Sequence, residues 1–441
     1  MKNHAISFRL ILMNFLQYAI WGAYLISMGS YLNSIGSLDK AGIFYAMQGI
    51  VSIFMPALIG IIADKFIPAQ KVLSLCHALA GIFMIATSWY ATVCTGIYNI
   101  NQDPAVVPIW NLFTLYSISV AFYMPTIALS NSVAFTALGK EGKDTVKAFP
   151  PIRVFGTIGF ICSMLFVNYM TDGKGEQYQQ TYNQFLTSGI LGIILAIYSL
   201  TLPDCPIKKN KEVKSFMEAS GLKAFTLFKS RQMAIFFIFS MLLGVALQIT
   251  NTYANPFITS FKNSSDLAIA NSYGAQNANA LISISQLSET LCILLIPFFL
   301  KKFGIKKVML ISMFAWVFRF GLFGAGNPGP GVWMFILSMI IYGVAFDFFN
   351  ISGSLYVNEK TTEDIRSSAQ GLFMLMTNGF GATIGTLSAQ QIVNRLVVHA
   401  SNPDWSAAWY IFAGYALVVA ILFMILFKDP MKEKLSGAAK A

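Results

Sequence analysis

Charge is what this chain has least of. Asp, Glu, Lys and Arg make up 11% of its 441 residues, and acids are scarcer than bases, 19 against 30. So few charges cannot keep a chain of this length in water, which excludes a soluble globular protein. Histidine is rarer still, with His4, His77 and His399 far apart, and the five cysteines (Cys76, Cys94, Cys162, Cys205 and Cys292) show no C-x-x-C spacing. Those absences argue against a metal site and against a disulfide framework. No G-x-x-x-x-G-K-[ST] motif occurs, so no ATP motor of that type is expected. No embedded nucleophile has a base beside it, so the chain does not read as an enzyme, and no cofactor is expected.

What is abundant is apolar surface. Hydrophobic residues make 56% of the chain and aromatics 14%, with a mean hydropathy of +0.62. Apolar runs of at least about 18 residues mark membrane spans, and twelve are found, near 10–33, 41–63, 72–94, 108–138, 150–170, 184–203, 232–260, 275–300, 308–326, 331–357, 367–394 and 405–427. The expected fold is an all-α membrane protein with the lipid bilayer as its partner. The first run is too long for a signal peptide and lacks a small-residue cleavage site, so it is expected to stay as a span. One long polar interruption, 204–231, carries Lys208, Lys209, Lys211, Lys214, Lys223, Lys229 and Arg231. It predicts a six-helix bundle over 1–203, a basic cytoplasmic linker over 204–231 and a second six-helix bundle over 232–441.

A net charge of +11 invites comparison with nucleic-acid binders, but the basic residues alternate between loops instead of clustering on a solvated domain. No nucleic-acid partner is expected. With a cytoplasmic N-terminus, 24 Lys and Arg fall in cytoplasmic segments and 4 in external ones; the positive-inside rule then puts both termini in the cytoplasm. The short turn between spans two and three, with Asp64, Lys65 and Lys71, has a basic counterpart between spans eight and nine, with Lys301, Lys302, Lys306 and Lys307. Both resemble, in degraded form, the loop signature of the major facilitator superfamily. That resemblance implies solute binding near the midplane and alternating access. Nothing in the sequence fixes an oligomeric state.

Four charges interrupt the spans: Arg153, Glu289, Arg319 and Asp347. An acid or base at a helix centre costs about 2.5–3.5 kcal/mol even on the lenient insertion scale, which marks such residues as functional candidates. Helical spacing gives three of them companions. Gln286 stands three residues before Glu289; Tyr342, Phe346 and Asn350 line one span with Asp347; Arg153 shares a face with Thr157 and Phe160. Gln248 and Asn251 form a further pair on span seven. Amides, hydroxyls and rings with two acids and one base suit an uncharged, hydroxyl-rich solute with a stackable ring. They suit a dicarboxylate or phosphate ester poorly, since those need several cations.

Plainer readings stand beside these. Arg153 follows Pro150 and Pro151 close to the cytoplasm, where an arginine can snorkel; Gln248 and Asn251 can serve as interhelical hydrogen-bonders; Arg319 has no polar companion at helical spacing and reads as structural. Gly371, Gly379, Gly381 and Gly385 on span eleven read as close helix contacts. Burial raises a carboxyl's pKa while a nearby guanidinium lowers it, so an acid exposed alternately to the two sides could carry a proton. The proton gradient is the expected energy source.

The stretches FLQYAIWGAY (15–24), FPPIRVFGTIGF (149–160), 233–251, SISQLSETLCILLIPFFL (283–300), YGVAFDFFNISGS (342–354) and 368–381 closely resemble the bacterial nucleoside:proton symporters, a branch of the major facilitator superfamily. The likeness runs from the first span to the last. It implies import of nucleosides across the inner membrane, with nucleosides and protons as partners. Carried over position by position, it implies a substrate site of Arg153, Thr157, Phe160, Gln248, Asn251, Gln286, Glu289, Tyr342, Phe346 and Asp347. Within it, Phe160, Tyr342 or Phe346 would stack on the base, and the amides and Glu289 would bond ribose or base edges. Asp347 or Glu289 would carry the proton. A sugar or oligosaccharide:proton symporter is the nearest alternative, and a nucleoside-binding membrane sensor a more distant one.

Overall fold

Inside a bilayer no water is available to bond backbone N–H and C=O groups, so an apolar run must satisfy them internally and becomes helix. The computed structural model describes residues 2–205 and 222–428. The expected basic linker, with Lys208, Lys209, Lys211 and Lys214, falls mostly outside the described residues, as do Lys432, Lys434 and Lys440.

The helices are α1 (Lys2–Gly22), α2 (Met28–Ser34), α3 (Ala41–Lys65), α4 (Ala69–Asn101), α5 (Ile109–Lys140), α6 (Thr145–Tyr169), α7 (Asn183–Ser199) and α8 (Arg231–Ser260). Then follow α9 (Ala278–Ala325), α10 (Val332–Lys360), α11 (Glu363–Met374), α12 (Ala382–Val393) and α13 (Trp405–Leu426). Among the described residues, eight of these are long and apolar enough to cross a membrane.

The other expected spans are present in altered form. The first run is broken: α1 and α2 are separated by a turn at 23–27. The sixth is the shorter apolar helix α7. The eighth and ninth are continuous in α9, whose 48 residues would reach about 72 Å if straight, far more than the ~30 Å hydrocarbon core. The chain leaves helical geometry at Gly304, with φ 75° and ψ 169°, a region that glycine alone enters cheaply. Arg319 Nη1 lies 3.5 Å from Ser285 Oγ although 34 residues separate them; only a helical hairpin brings these two together. The eleventh span consists of α11 and α12 joined by a π-helical turn over Leu375–Gly381. The fifth apolar run lies near 150–170, but α6 begins at Thr145, so Pro150 and Pro151 lie inside the helix.

Two compact units emerge. The first comprises Met1–Ser220 and Asn251–Pro256, the second Gly221–Thr250 and Phe257–Ala441. In the first, α4 packs against α5 and α7, α1 against α6 and α3 against α5. In the second, α9 packs against α10 and α13. Gly381 and Gly385 are packing residues there: a Cβ on Gly381 would stand 2.4 Å from the Met241 carbonyl oxygen, and one on Gly385 2.7 Å from Val245 Cα.

Candidate functional site

In the second unit, the contact of α10 with the first half of α9 sets the geometry. A Cβ on Gly343 would meet the Ser288 carbonyl oxygen at 2.6 Å and Cys292 Sγ at 2.8 Å, so the two backbones approach this closely only because residue 343 has no side chain. Small hydroxyls reinforce the contact: Ser288 Oγ donates to the Ile340 carbonyl, Ser312 Oγ to the Ala345 carbonyl, and Ser285 Oγ to Met339 Sδ at 3.0 Å. Asp347 stands one helical turn after Gly343, so it is held against α9. It is 5% exposed, and its Oδ2 has no hydrogen-bond partner among the described residues. The Glu289 carboxyl, half-buried on α9, is within electrostatic reach of it.

Tyr342 and Phe346 present a platform beside these acids. Their rings stack at 5.8 Å with an interplanar angle of 6°, and Trp316 meets Tyr342 edge-on at 5.9 Å. The Tyr342 hydroxyl shares a hydrogen bond with Gln286 and interacts electrostatically with Glu289, Arg319 and Asp347. Gln286 is half-buried, as are Phe346 and Asn350. A narrow cleft bordered by Trp316, Phe346 and Asn350 also takes in Thr377 and Asn378 from the π-helical turn. A π turn inserts a residue into the helical register and re-aims its side chains, which is why such turns recur at functional sites.

Arg319 is fully buried. Its companions come from other helices: Nη1 donates to the Ser338 carbonyl at 2.7 Å and lies 3.5 Å from Ser285 Oγ, and Nε lies 3.5 Å from Thr250 Oγ1. The guanidinium stands 4.6 Å from the Tyr342 ring centre and 5.1 Å from that of Phe323. Nη2 has no partner among the described residues. These partners lie 19 to 69 residues away in the chain, beyond the reach of helical spacing, which reports only companions on the same helix.

The first unit holds the other cluster. Phe160 is buried and meets Trp21 edge-on at 6.4 Å, and Trp21 lies 6.1 Å from Tyr123. Arg153, half-buried, places its guanidinium 3.8 Å from the centre of the Tyr18 ring, a cation–π contact and not a free snorkel. Thr157, between Arg153 and Phe160 on α6, is half-buried. Behind them runs a bonded polar network: Trp21 Nε1 donates to Gln48 Oε1, and Gln48 Nε2 to the Tyr116 hydroxyl. Gln17 Nε2 donates to Thr126 Oγ1, Tyr123 donates to the Gln17 carbonyl, and His77 Nε2 lies 2.8 Å from Gln17 Oε1. His77 is fully buried inside the unit.

Gln248 and Asn251 on α8 are both half-buried; by the division into units, Gln248 belongs to the second and Asn251 to the first. The second unit therefore brings together Gln286, Glu289, Tyr342, Phe346 and Asp347, and the first brings Phe160 into an aromatic group beside the Arg153–Tyr18 pair. Tyr18, Trp21, Gln48, Tyr123, Trp316 and Asn378 were not singled out from spacing. A cavity of about 550 Å³ in the second unit lies elsewhere, between mainly apolar residues such as Leu310, Phe314 and Phe318, and includes none of the ten.

A family model described as nucleoside H+ symporter matches residues 4–432. The chain is 44% identical to the xanthosine permease of Escherichia coli K12 over 98% of each sequence. It is 43% identical to the nucleoside permease NupG of the same organism over 95% of each. The crystal structure of nucleoside transporter NupG superimposes with a TM-score of 0.84, covering 96% of this chain and 99% of that one. A D-xylose-proton symporter, 16% identical, superimposes with a TM-score of 0.66 over 96% of this chain and 98% of its own, which is a likeness of fold alone.

Proposed function

We propose, from the premise that this chain belongs to the nucleoside H+ symporter family, that its two polar clusters are the parts of its solute and proton machinery. The protein is a multi-pass bacterial inner-membrane transporter of the twelve-helix major facilitator type, a proton-coupled nucleoside symporter and not an enzyme. The proposal concerns which residues do the work.

The observation that carries it is the ring pair Tyr342 and Phe346, stacked at 5.8 Å and adjoined by Gln286, Glu289 and Asp347. A flat ring pair offers a face to a nucleobase. The amide and carboxyls beside it offer hydrogen-bond partners to ribose hydroxyls and base edges. Within the first unit, Phe160, Thr157 and Arg153 are a proposed solute-contacting ring, hydroxyl and cation, and Gln248 and Asn251 on α8 are proposed solute-binding amides. Relatives named for xanthosine and for nucleosides in general make both purine and pyrimidine nucleosides fitting substrates.

Glu289 and Asp347 are the proposed proton carriers. Two carboxyls that feel one another in a buried place disfavour double ionisation, since the second charge meets both desolvation and repulsion. A proton taken up by the pair on one side and released on the other links solute entry to the gradient. The linkage is measured in proteoliposomes: a difference of about one pH unit is worth about 1.4 kcal/mol per proton, or about tenfold accumulation at one proton per nucleoside. Asp347→Asn and Glu289→Gln are each expected to lose that accumulation of uridine or adenosine. Full proton-driven uptake in both variants, correctly inserted, would remove the assignment. Competition by nucleosides but not by sugars separates the reading from a sugar symporter.

A further inference from the structure

We infer that Arg319 is a positioning residue for transport, acting through the hydroxyl of Tyr342. The inference rests on the reading of Tyr342 as part of the solute and proton site, and it assigns a role to the buried arginine outside the ten residues of that site.

A fully buried guanidinium is costly unless each of its donors is bonded and its charge is answered. Here the hydrogen-bond partners of Arg319 are a backbone carbonyl and two hydroxyls, all neutral. One terminal nitrogen has no partner among the described residues. A residue kept only as interhelical glue would gain by having that nitrogen bonded or by being replaced with a neutral side chain of similar volume. The charge faces two rings, and of these only Tyr342 carries a polar group, at 4.6 Å from ring centre to guanidinium.

Tyr342 is pinned from several directions. Arg319 stands near its ring, Phe346 stacks on it, Trp316 meets it edge-on, and its hydroxyl is shared with Gln286 and is in reach of Glu289 and Asp347. A cation beside a phenol ring withdraws electron density and strengthens the O–H as a donor, while the ring contact fixes the direction in which that O–H points. The hydroxyl so strengthened bonds with Gln286 and lies within electrostatic reach of the acids proposed to bind solute and proton. The other groups around this cluster are Cys292 on α9, itself in reach of Asp347, and Thr250 on α8, which is not ionisable. Tyr342 is thus the route by which the Arg319 charge acts on the acid pair.

The test is a double-variant cycle read by nucleoside counterflow in proteoliposomes, with KM and Vmax determined separately. Arg319→Gln is expected to raise KM about tenfold, the scale of a lost charge-assisted hydrogen bond, with Vmax close to that of the unaltered protein. Arg319→Lys keeps the charge and is expected to recover most of the loss. In a Tyr342→Phe background, Arg319→Gln is expected to change KM no further. A fall in Vmax or in folded protein at unchanged KM would overturn the inference, as would a full additional factor in the Tyr342→Phe background. If Arg319→Gln does not insert, the same cycle with the neutral, apolar Arg319→Met decides: a KM change of equal size in both backgrounds, or none in either, overturns the inference, and one confined to the Tyr342 background sustains it. Should Tyr342→Phe alone leave KM unaltered, the reading of Tyr342 as a site residue fails, and the inference fails with it.

Discussion

The polar interiors of the two units differ in kind. In the first, Gln17, Gln48, Tyr116, Tyr123 and Thr126 bond to one another or to backbone, and the buried base among them, His77, is bonded through Nε2 to the neutral amide of Gln17, its Nδ1 having no partner among the described residues. Its cation, Arg153, is half-exposed and lies on the ring of Tyr18. In the second, the leftover capacity is on charged groups: a fully buried guanidinium and a nearly buried carboxyl each keep an atom without a partner among the described residues. A network of neutral groups bonded to one another holds side-chain positions; buried charges with bonding capacity left over change their bonding as protons come and go. The first unit is built to hold geometry and the second to respond.

That contrast ranks the expected effects of substitution. The largest belongs to Gly343→Val, which drives a branched side chain into the Ser288 backbone. Overpacking of this kind costs about 1–3 kcal/mol or more, and the variant should show a lowered thermal midpoint together with loss of uptake. Retention of both would mean that the α9–α10 contact does not organise the acids. Next comes Phe160→Ala, expected to weaken nucleoside binding about tenfold, within the range of aromatic contacts, while leaving competition by free ribose unchanged. Equal losses for both ligands would take the stacking role away from the first unit. The smallest effect is expected at His77→Gln, which keeps a hydrogen-bonding group for Gln17: accumulation driven by a pH difference should stay within about twofold of the unaltered protein, about 0.4 kcal/mol. If it collapses as in Asp347→Asn, protons pass through the first unit as well and the contrast is lost.

Much of this was legible in the sequence, for identifiable reasons. Helical spacing joins Gln286 to Glu289 and Tyr342 to Phe346 and Asp347, because each pair or triple lies on one helix. It is silent on partners that arrive from elsewhere, and so Arg319 seemed alone although Thr250, Ser285 and Ser338 surround it. Tyr18, Trp21 and Tyr123 were not singled out, since an aromatic ring in a span looks the same whether it faces lipid or a guanidinium. The spacing of Gln17 and Trp21, four residues apart, was the available signal. Hydropathy found spans eight and nine as separate runs, while the backbone joins them with little more than one non-helical residue. The π turn in span eleven has no signature in apolar periodicity at all, because a single inserted residue shifts phase without altering composition.

The hairpin at Gly304 also bears on how the chain enters its membrane. During synthesis Ser285 emerges 34 residues ahead of Arg319, and Ser338 only 19 behind it. A lone ninth span would bring an arginine into hydrocarbon at a cost of about 2.5–3.5 kcal/mol. Folded back at Gly304, it arrives beside a helix that already offers a hydroxyl, and the next span delivers a carbonyl soon afterwards. The turn thus makes spans eight to ten a unit of biogenesis as well as of architecture.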